Sequence, residues 1–400
     1  MLGVWMWPES VRRRGADNVF EACRKMGVTD VYYLTKGLSG ATAFPGPLAP
    51  SMADGRDLLR EALSAAQRRG MRLHAWFTSA SDERYKNDHP ESGLYHYKNG
   101  RNRGIVSISC AAYARFMQDV LSDMLRRYEV DGVHLDYIRY NHLIYGWSDE
   151  DQKRYAAGGV DLARIRALMD ETFCGDHPNG EAIFDAYRSG DGDAIRLADV
   201  RRRDVTRFAA ALCEAVRAEK PNITLSAALM PEGAYDDLAF SNLHYGQNYA
   251  DLAPLMDEFL PMAYSKAYDK DAEWVRQVTR GTMRHGVATV TGVHAYEGAT
   301  AETLRQDIAA ARSVEGAKGV CLFREGAAAW AFSNGKTLTL LNPLDAPLTA
   351  CRVEGEGNSA VIATPVQPDE TREFALPFRP TAVQALAGDA EVCTLLAAEI

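Results

Sequence analysis

Val130-Asp131-Gly132-Val133-His134-Leu135-Asp136-Tyr137-Ile138-Arg139-Tyr140 begins as a buried strand and ends by delivering Asp136, Tyr137, Arg139 and Tyr140 at its C-terminal tip. A strand that turns from apolar to charged and aromatic over its last residues is what the mouth of a (β/α)₈ barrel presents, and such barrels keep their chemistry there. Period-two alternation points His134, Asp136 and Ile138 to one side. A buried Asp facing a barrel mouth is costly unless it is paired or used. Asp136 is therefore the leading catalytic candidate. The structural alternative is an Asp held by Arg139 or by a neighbouring backbone N–H. A carboxylate with an arginine and aromatic rings around it is the equipment for handling a sugar.

Outward from this segment, strand-like and helix-like stretches alternate, which predicts a parallel α/β sheet. Strands are expected at 2–7, 30–34, 72–77, 223–229, 258–264, 288–293 and 319–323, which with the opening segment makes eight. Helices are expected at about 9–26, 55–69 (stopped by Gly70), 111–128, 200–219, 269–285 and 300–313. Polar loops fill 37–50 and 79–106. A long polar excursion with short helical pieces, 141–200, reads as a lid or subsite wall, or as a plain surface insertion. After Trp330 the pattern changes to short strands at 336–341, 360–363 and 372–376. The expected architecture is a (β/α)₈ TIM barrel over 1–333, with an insertion at 141–200, and a small β-sandwich-like domain over 334–400.

The 400 residues are 46% hydrophobic and 25% charged, with a formal charge of −9, as in an ordinary globular enzyme. The short Arg clusters at 12–14 and 201–203 fall in helical segments and read as solvated faces, so no nucleic-acid partner is expected. No apolar run reaches transmembrane length, so no membrane partner is expected either. The seven scattered cysteines lack a CxxC pair and fit reduced thiols rather than a zinc site or a disulfide framework. The chain opens directly on a strand. The expected location is cytoplasmic, or secreted or periplasmic if a signal peptide has been removed.

Glycosidic cleavage needs a proton for the leaving oxygen and negative charge at the sugar's other face, usually from two carboxyl groups. Besides Asp136, the strand ends offer Glu232, Glu297 and Glu325. Glu232, which follows a proline, also reads as a solvated loop residue, and Glu297 and Glu325 are weaker candidates. Trp5, Trp7, Trp76, Tyr137, Tyr140 and Tyr264 are placed to stack on a pyranose, although any one of them alone reads as core packing. His74 and His294 sit at strand ends too. Without HxH or HExxH spacing they read as hydrogen-bonding histidines, and neither a metal nor a cofactor is expected.

Four stretches in order carry a resemblance: His74-Ala75-Trp76-Phe77; 131–140; Leu225-Ser226-Ala227-Ala228-Leu229-Met230-Pro231; and Phe259-Leu260-Pro261-Met262-Ala263-Tyr264. With Gly246-Gln247-Asn248-Tyr249, they resemble the glycosyl-hydrolase-like 10 proteins, bacterial barrel proteins predicted to be glycosidases. The resemblance covers about 1–330 and implies a glycoside hydrolase acting on a bacterial or dietary glycan. The opening strand is also similar to the DGxDxDxE signature of family 18 glycosidases. Asp131, Gly132 and Asp136 match, but His134 replaces the middle Asp and Ile138 replaces the proton-donating Glu. That family's substrate-assisted mechanism therefore does not carry over intact. The acid must come from another strand, and Glu232, after the neighbouring strand, is the first choice. Trp5, His74, Trp76, Tyr137, Arg139, Tyr264, His294, Glu297 and Glu325 complete the expected sugar-binding set. Two other readings stay open: a catalytically silent carbohydrate-binding barrel, favoured by Ile138, and a different TIM-barrel hydrolase or lyase. Sugar identity, linkage, exo or endo action, stereochemical course and oligomeric state are left open by the sequence.

Overall fold

The computed structural model describes residues 1–53, 55–100, 102–174, 178–296 and 298–397. Eight parallel strands close into a barrel: β1 (Leu2–Met6), β2 (Asp30–Lys36), β3 (Arg72–Thr78), β4 (Gly132–Asp136), β5 (Thr224–Leu229), β6 (Glu258–Pro261), β7 (Ala288–His294) and β8 (Gly319–Phe323). Each strand pairs with the next, and β8 pairs with β1. The register sets Trp76 of β3 against His134 of β4, and Thr78 against Asp136.

Seven helices make the outer layer: α1 (Pro8–Arg14), α2 (Ala16–Lys25), α3 (Leu58–Gln67), α4 (Ala111–Arg127), α5 (Gly192–Glu219), α6 (Ala272–Met283) and α7 (Ala301–Arg312). The single helix expected at 9–26 is two. Gly15, at φ 78°, ends α1 and lets α2 start in a new direction. The helix expected from 200 begins at Gly192 instead, because the Asp191 side chain accepts hydrogen bonds from the amides of Asp193 and Ala194. Outward-facing strand residues such as Val133, Leu135 and Phe77 pack against these helices in the main apolar core.

The excursion after β4 is a structured unit, not a loose loop. Helices Asp149–Ala157, Leu162–Phe173 and Ala182–Arg188 gather Leu143, Trp147, Tyr155, Ile165, Met169, Ile183 and Phe184 into a core of their own on the N-terminal half of α5. In the loop after β3, Gly93–Tyr95 and Asn102–Val106 pair as an antiparallel hairpin.

Beyond the barrel lie β9 (Ala329–Asn334), β10 (Thr337–Leu341), β11 (Ala350–Gly355), β12 (Asn358–Ile362), β13 (Thr371–Ala375), β14 (Ala382–Ala387), β15 (Ala390–Val392) and β16 (Thr394–Leu396). They form two four-stranded sheets, ordered β13-β10-β9-β16 and β12-β11-β14-β15, which share one apolar core. Arg13 of α1 reaches Asp345 at 2.6 Å and Asp369 at 2.8 Å, tying this region to the barrel. No helix among the described residues is long and apolar enough to cross a membrane.

Candidate active site

The inside of the barrel is filled before any cleft begins. Trp5 Nε1 donates to His134 Nε2 at 3.0 Å, and His134 Nδ1 lies 2.9 Å from Ser226 Oγ. An Nε2 that accepts leaves the proton on Nδ1, so His134 is a neutral imidazole donating to Ser226. Burial pushes its pKa well down. Tyr32 stacks on His74 at 4.6 Å and meets His134 edge-on at 4.7 Å. His74 Nε2 sits 3.0 Å from Asp30 Oδ1. A side chain at Gly132 would place its Cβ 2.1 Å from the His74 ring, which explains the glycine opposite His74 in β4.

Two expected sugar contacts are corrected by this arrangement. Trp5 and His74 are buried inside the barrel, held by His134 and by Asp30, and neither lines the cleft. A third correction concerns Glu325. Its carboxylate turns away from the mouth to α1, where Ser10 and Arg14 bind it, and it is wholly buried. Glu297 lies outside the described residues.

Above the filled layers the strand tips enclose a cleft of about 510 Å³, lined among others by Trp7, Trp76, Asp136, Tyr137, Arg139, Tyr264, Tyr296 and Phe323. The Asp136 carboxylate accepts from Trp76 Nε1 at 3.1 Å and from the Tyr137 amide at 2.7 Å. Burial raises its pKa to about 6, against the pull of Arg139 and these hydrogen bonds. Both the ligation and the elevation follow from its place at the end of β4, where the chain leaves the barrel.

That exit is sharp. Tyr137 adopts φ 55°, a left-handed conformation that a non-glycine residue enters at a cost of roughly 1–2 kcal/mol. The turn breaks the alternation expected from the sequence. Ile138 does not follow His134 and Asp136 but joins Val133 and Leu135 in the outer apolar core. The position that carries the acid in family 18 therefore faces away from the cleft. Tyr140 is structural as well: its hydroxyl donates to Asp204 at 2.9 Å, and the Arg201 guanidinium lies 3.7 Å from its ring.

Glu232 lies in the short 3₁₀ turn Pro231–Ala234 after β5 and is buried. Tyr268 Oη donates to its Oε1 at 3.3 Å, while Oε2 has no partner among the described residues. Burial raises its pKa to about 7, opposed by a backbone hydrogen bond, Tyr268 and the Arg139 charge. Glu232 is not among the residues that line the Asp136 cleft. Arg139 connects the two, since its charge acts on both carboxyl groups.

His294 ends β7 beside Tyr264 (5.1 Å) and Tyr296 (5.0 Å). It is buried, neither ring nitrogen has a partner among the described residues, and burial lowers its pKa to about 4. A neutral imidazole next to the cleft wall can donate from one nitrogen and accept at the other. Tyr296, Phe323 and Tyr268 escaped the sequence reading. Phe323 and Tyr296 do fall at or just after strand ends, whereas nothing local marks Tyr268. Among the described residues no cluster of three or more His, Cys, Asp or Glu side chains is arranged to hold a metal ion.

The chain matches the family model described as glycosyl hydrolase-like 10 over residues 47–301. Among curated proteins no sequence relative is found. Among solved structures it is similar to the PgaB (BpsB) glycoside hydrolase domain from Bordetella bronchiseptica, at 15% identity and a TM-score of 0.63, covering 80% of this chain and 93% of that one. It is also similar to alpha-L-fucosidase isoenzyme 2 from Paenibacillus thiaminolyticus, at 16% identity and TM-score 0.55, over 78% of this chain and 43% of that one. The beta-galactosidase of Halorubrum lacusprofundi aligns at 14% identity and TM-score 0.57, over 81% of this chain and 52% of that one. At these identities the likeness is one of fold.

Proposed function

Because the chain belongs to the glycosyl hydrolase-like 10 family, we propose that it hydrolyses a glycosidic bond in the cleft over β4, with Asp136 and Glu232 as the carboxyl pair. The observation that carries this reading is Asp136 itself. It is a buried carboxylate at the cleft wall, oriented by Trp76 and the Tyr137 amide, with no ion pair among the described residues to neutralise it. The two carboxyl groups have different environments, and a pair whose pKa values are pushed apart divides the acid and base roles. Asp136, with two hydrogen bonds to its charged form, is the group that ionises first and faces the sugar as nucleophile, base or charge stabiliser. Glu232, held by a long Tyr268 hydrogen bond and a backbone contact and with an Oε2 unpartnered among the described residues, stays protonated to higher pH and serves as the acid. Trp76, Tyr264 and Tyr296 supply faces and edges for the ring, and exposed Trp7 stands at the mouth.

The test is substitution on a glycan that the protein cleaves. Asp136→Asn is expected to lower kcat by at least about 10³-fold with the fold intact, as the removal of a principal carboxylate does. Glu232→Gln is expected to lose activity on poor leaving groups while keeping part of it on activated aryl glycosides, which need little protonation. Near-normal turnover in Asp136→Asn, or equal loss on both substrate types in Glu232→Gln, would overturn these roles. One observation favours a second reading, a carbohydrate-binding barrel without turnover: Glu232 stands outside the cleft lining. That reading predicts glycan affinity unchanged in Asp136→Asn and no hydrolysis at all.

A further inference from the structure

Arg139 stands out among the cleft residues because, among the described residues, its guanidinium has no direct partner and acts on Asp136 and Glu232 only through its charge. Among the described residues no carboxylate pairs with its guanidinium and no acceptor takes a hydrogen bond from it, and its Nε is buried. It lies over the Tyr137 ring at 4.8 Å and the Tyr245 ring at 5.5 Å. Arg154 and Arg202, also partly buried, are paired: Arg154 holds Asp151 at 2.7 Å and Asp204 at 2.9 Å, and Arg202 holds Asp251 at 2.9 Å. Asp136 accepts from Trp76 and the Tyr137 amide and, among the described residues, makes no ion pair with Arg139.

We infer that the sugar bound beside Asp136 is acidic, a hexuronic acid residue whose carboxylate Arg139 grips with two N–H groups. The inference rests on the glycoside hydrolase reading and names its substrate class. A guanidinium carries five N–H donors and keeps its charge at every working pH. A sugar hydroxyl would occupy one donor and leave the other donors of a half-buried group without acceptors. A planar carboxylate matches the fork with two parallel charge-assisted hydrogen bonds. The two tyrosine rings hold the fork by its faces and leave its edges free. A second guanidinium, that of Arg324, lies 3.6 Å from the Trp7 ring at the cleft mouth and, among the described residues, has no carboxylate partner either. Arg139 in the cleft lining is thus joined by a second positive charge beside Trp7.

Matched probes test this on the full chain: aryl hexuronides of both anomers against the corresponding hexosides, and uronate oligosaccharides against their carboxyl-reduced and sulfate-ester counterparts. The uronide is expected to exceed its neutral partner in kcat/KM by about 10- to 100-fold, the range of charge-assisted hydrogen bonds. Arg139→Met is expected to bring that ratio close to one, and Arg139→Lys to keep part of it. Circular dichroism should show both variants folded, because among the described residues the Arg139 side chain makes no hydrogen bond to lose. Equal or better cleavage of the neutral member overturns the acidic-sugar assignment and leaves the hydrolase reading standing. Preference for the sulfate ester over the carboxylate overturns it as well. Calorimetric titration of Asp136→Asn with the oligosaccharides separates binding from chemistry. Tighter binding of the uronate than of its reduced form, abolished in Asp136→Asn combined with Arg139→Met, supports the assignment even if hydrolysis fails, and equal or absent binding overturns it.

Discussion

At the scale of single residues, the two carboxyl groups set a pH window for activity. Asp136 has a pKa of about 6 and Glu232 one of about 7. Ionised Asp136 with protonated Glu232 is then the most populated productive form between these values, and kcat/KM is expected to follow a bell with limbs near 6 and 7. The groups that hold Glu232 are Tyr268 through its hydroxyl and Arg139 through its charge, with Glu232 in turn raising the pKa of Tyr235, Tyr245 and Tyr249. Glu232→Gln removes the only group of the pair that titrates on the alkaline side. In that variant the fall above about pH 7 is expected to disappear while the acid limb from Asp136 remains. A pH series of kcat/KM on an activated aryl glycoside reads this directly. An alkaline limb that survives the substitution would show that another group donates the proton.

At the scale of elements, the insertion after β4 behaves as a unit with its own core, because Trp147, Tyr155, Ile165, Met169 and Ile183 pack on one another rather than on the barrel. Ile165 is fully buried there. Ile165→Ala is expected to cost roughly 2–5 kcal/mol, as large-to-small substitutions in a packed core do. Hydrogen exchange should show lost protection across Asp149–Ala157 and Leu162–Phe173, with the barrel strands unchanged. Equal losses in β3 and β4 would mean that insertion and barrel unfold together. The helical pieces of this unit are legible as patterns in the sequence, but their mutual packing is not, since a polar excursion and a small satellite core differ only in which apolar residues meet. The barrel strands are legible for the opposite reason: each is an apolar run between turn residues, and the run alone specifies a buried parallel strand. Strand ends are legible in position and illegible in direction. Asp136 faces the cleft as the alternation implies, yet one left-handed residue at Tyr137 sends Ile138 into the outer core. After β8 the chain turns Glu325 to Ser10 and Arg14, partners that a linear reading of the strand end cannot supply.

At the scale of the whole molecule, the groups that equip the cleft act against the stability of the fold, and the sign is testable. Asp136 and Asp307 are raised to about 6 and Glu232 to about 7, in each case chiefly by burial. The folded protein binds these three protons more tightly than the unfolded chain, whose carboxyl groups titrate near 4. Their contribution is therefore fully present below about pH 4 and is lost as pH rises through 6 and 7. Asp30 works the other way. Burial pushes it up, but His74, Thr29 and Arg72 bring it to about 2. Its contribution is present above about pH 4 and disappears only as pH falls through 2. The buried histidines work against the three raised groups: His134, His244 and His294 are held neutral by burial, so they cost stability at low pH and stop doing so as pH rises through about 6.5. The slope of the parent is therefore a balance, and the part that belongs to Asp136 is read from the difference between the parent and Asp136→Asn. Of its shift of about two pH units, about one falls between pH 5 and 7.5, so Asp136 supplies on the order of 1 kcal/mol to that difference. Asp136→Asn removes a titrating group while keeping a side chain of the same shape. It should raise Tm at pH 7.5 relative to the parent, and by more than it does at pH 5. Calorimetric scans of the two proteins across that range decide the matter. A Tm difference between the two proteins that stays constant or shrinks toward pH 7.5 would mean that the carboxyl group of Asp136 is not buried as a charge-averse group at the cleft, and the division of roles between Asp136 and Glu232 would fall with it.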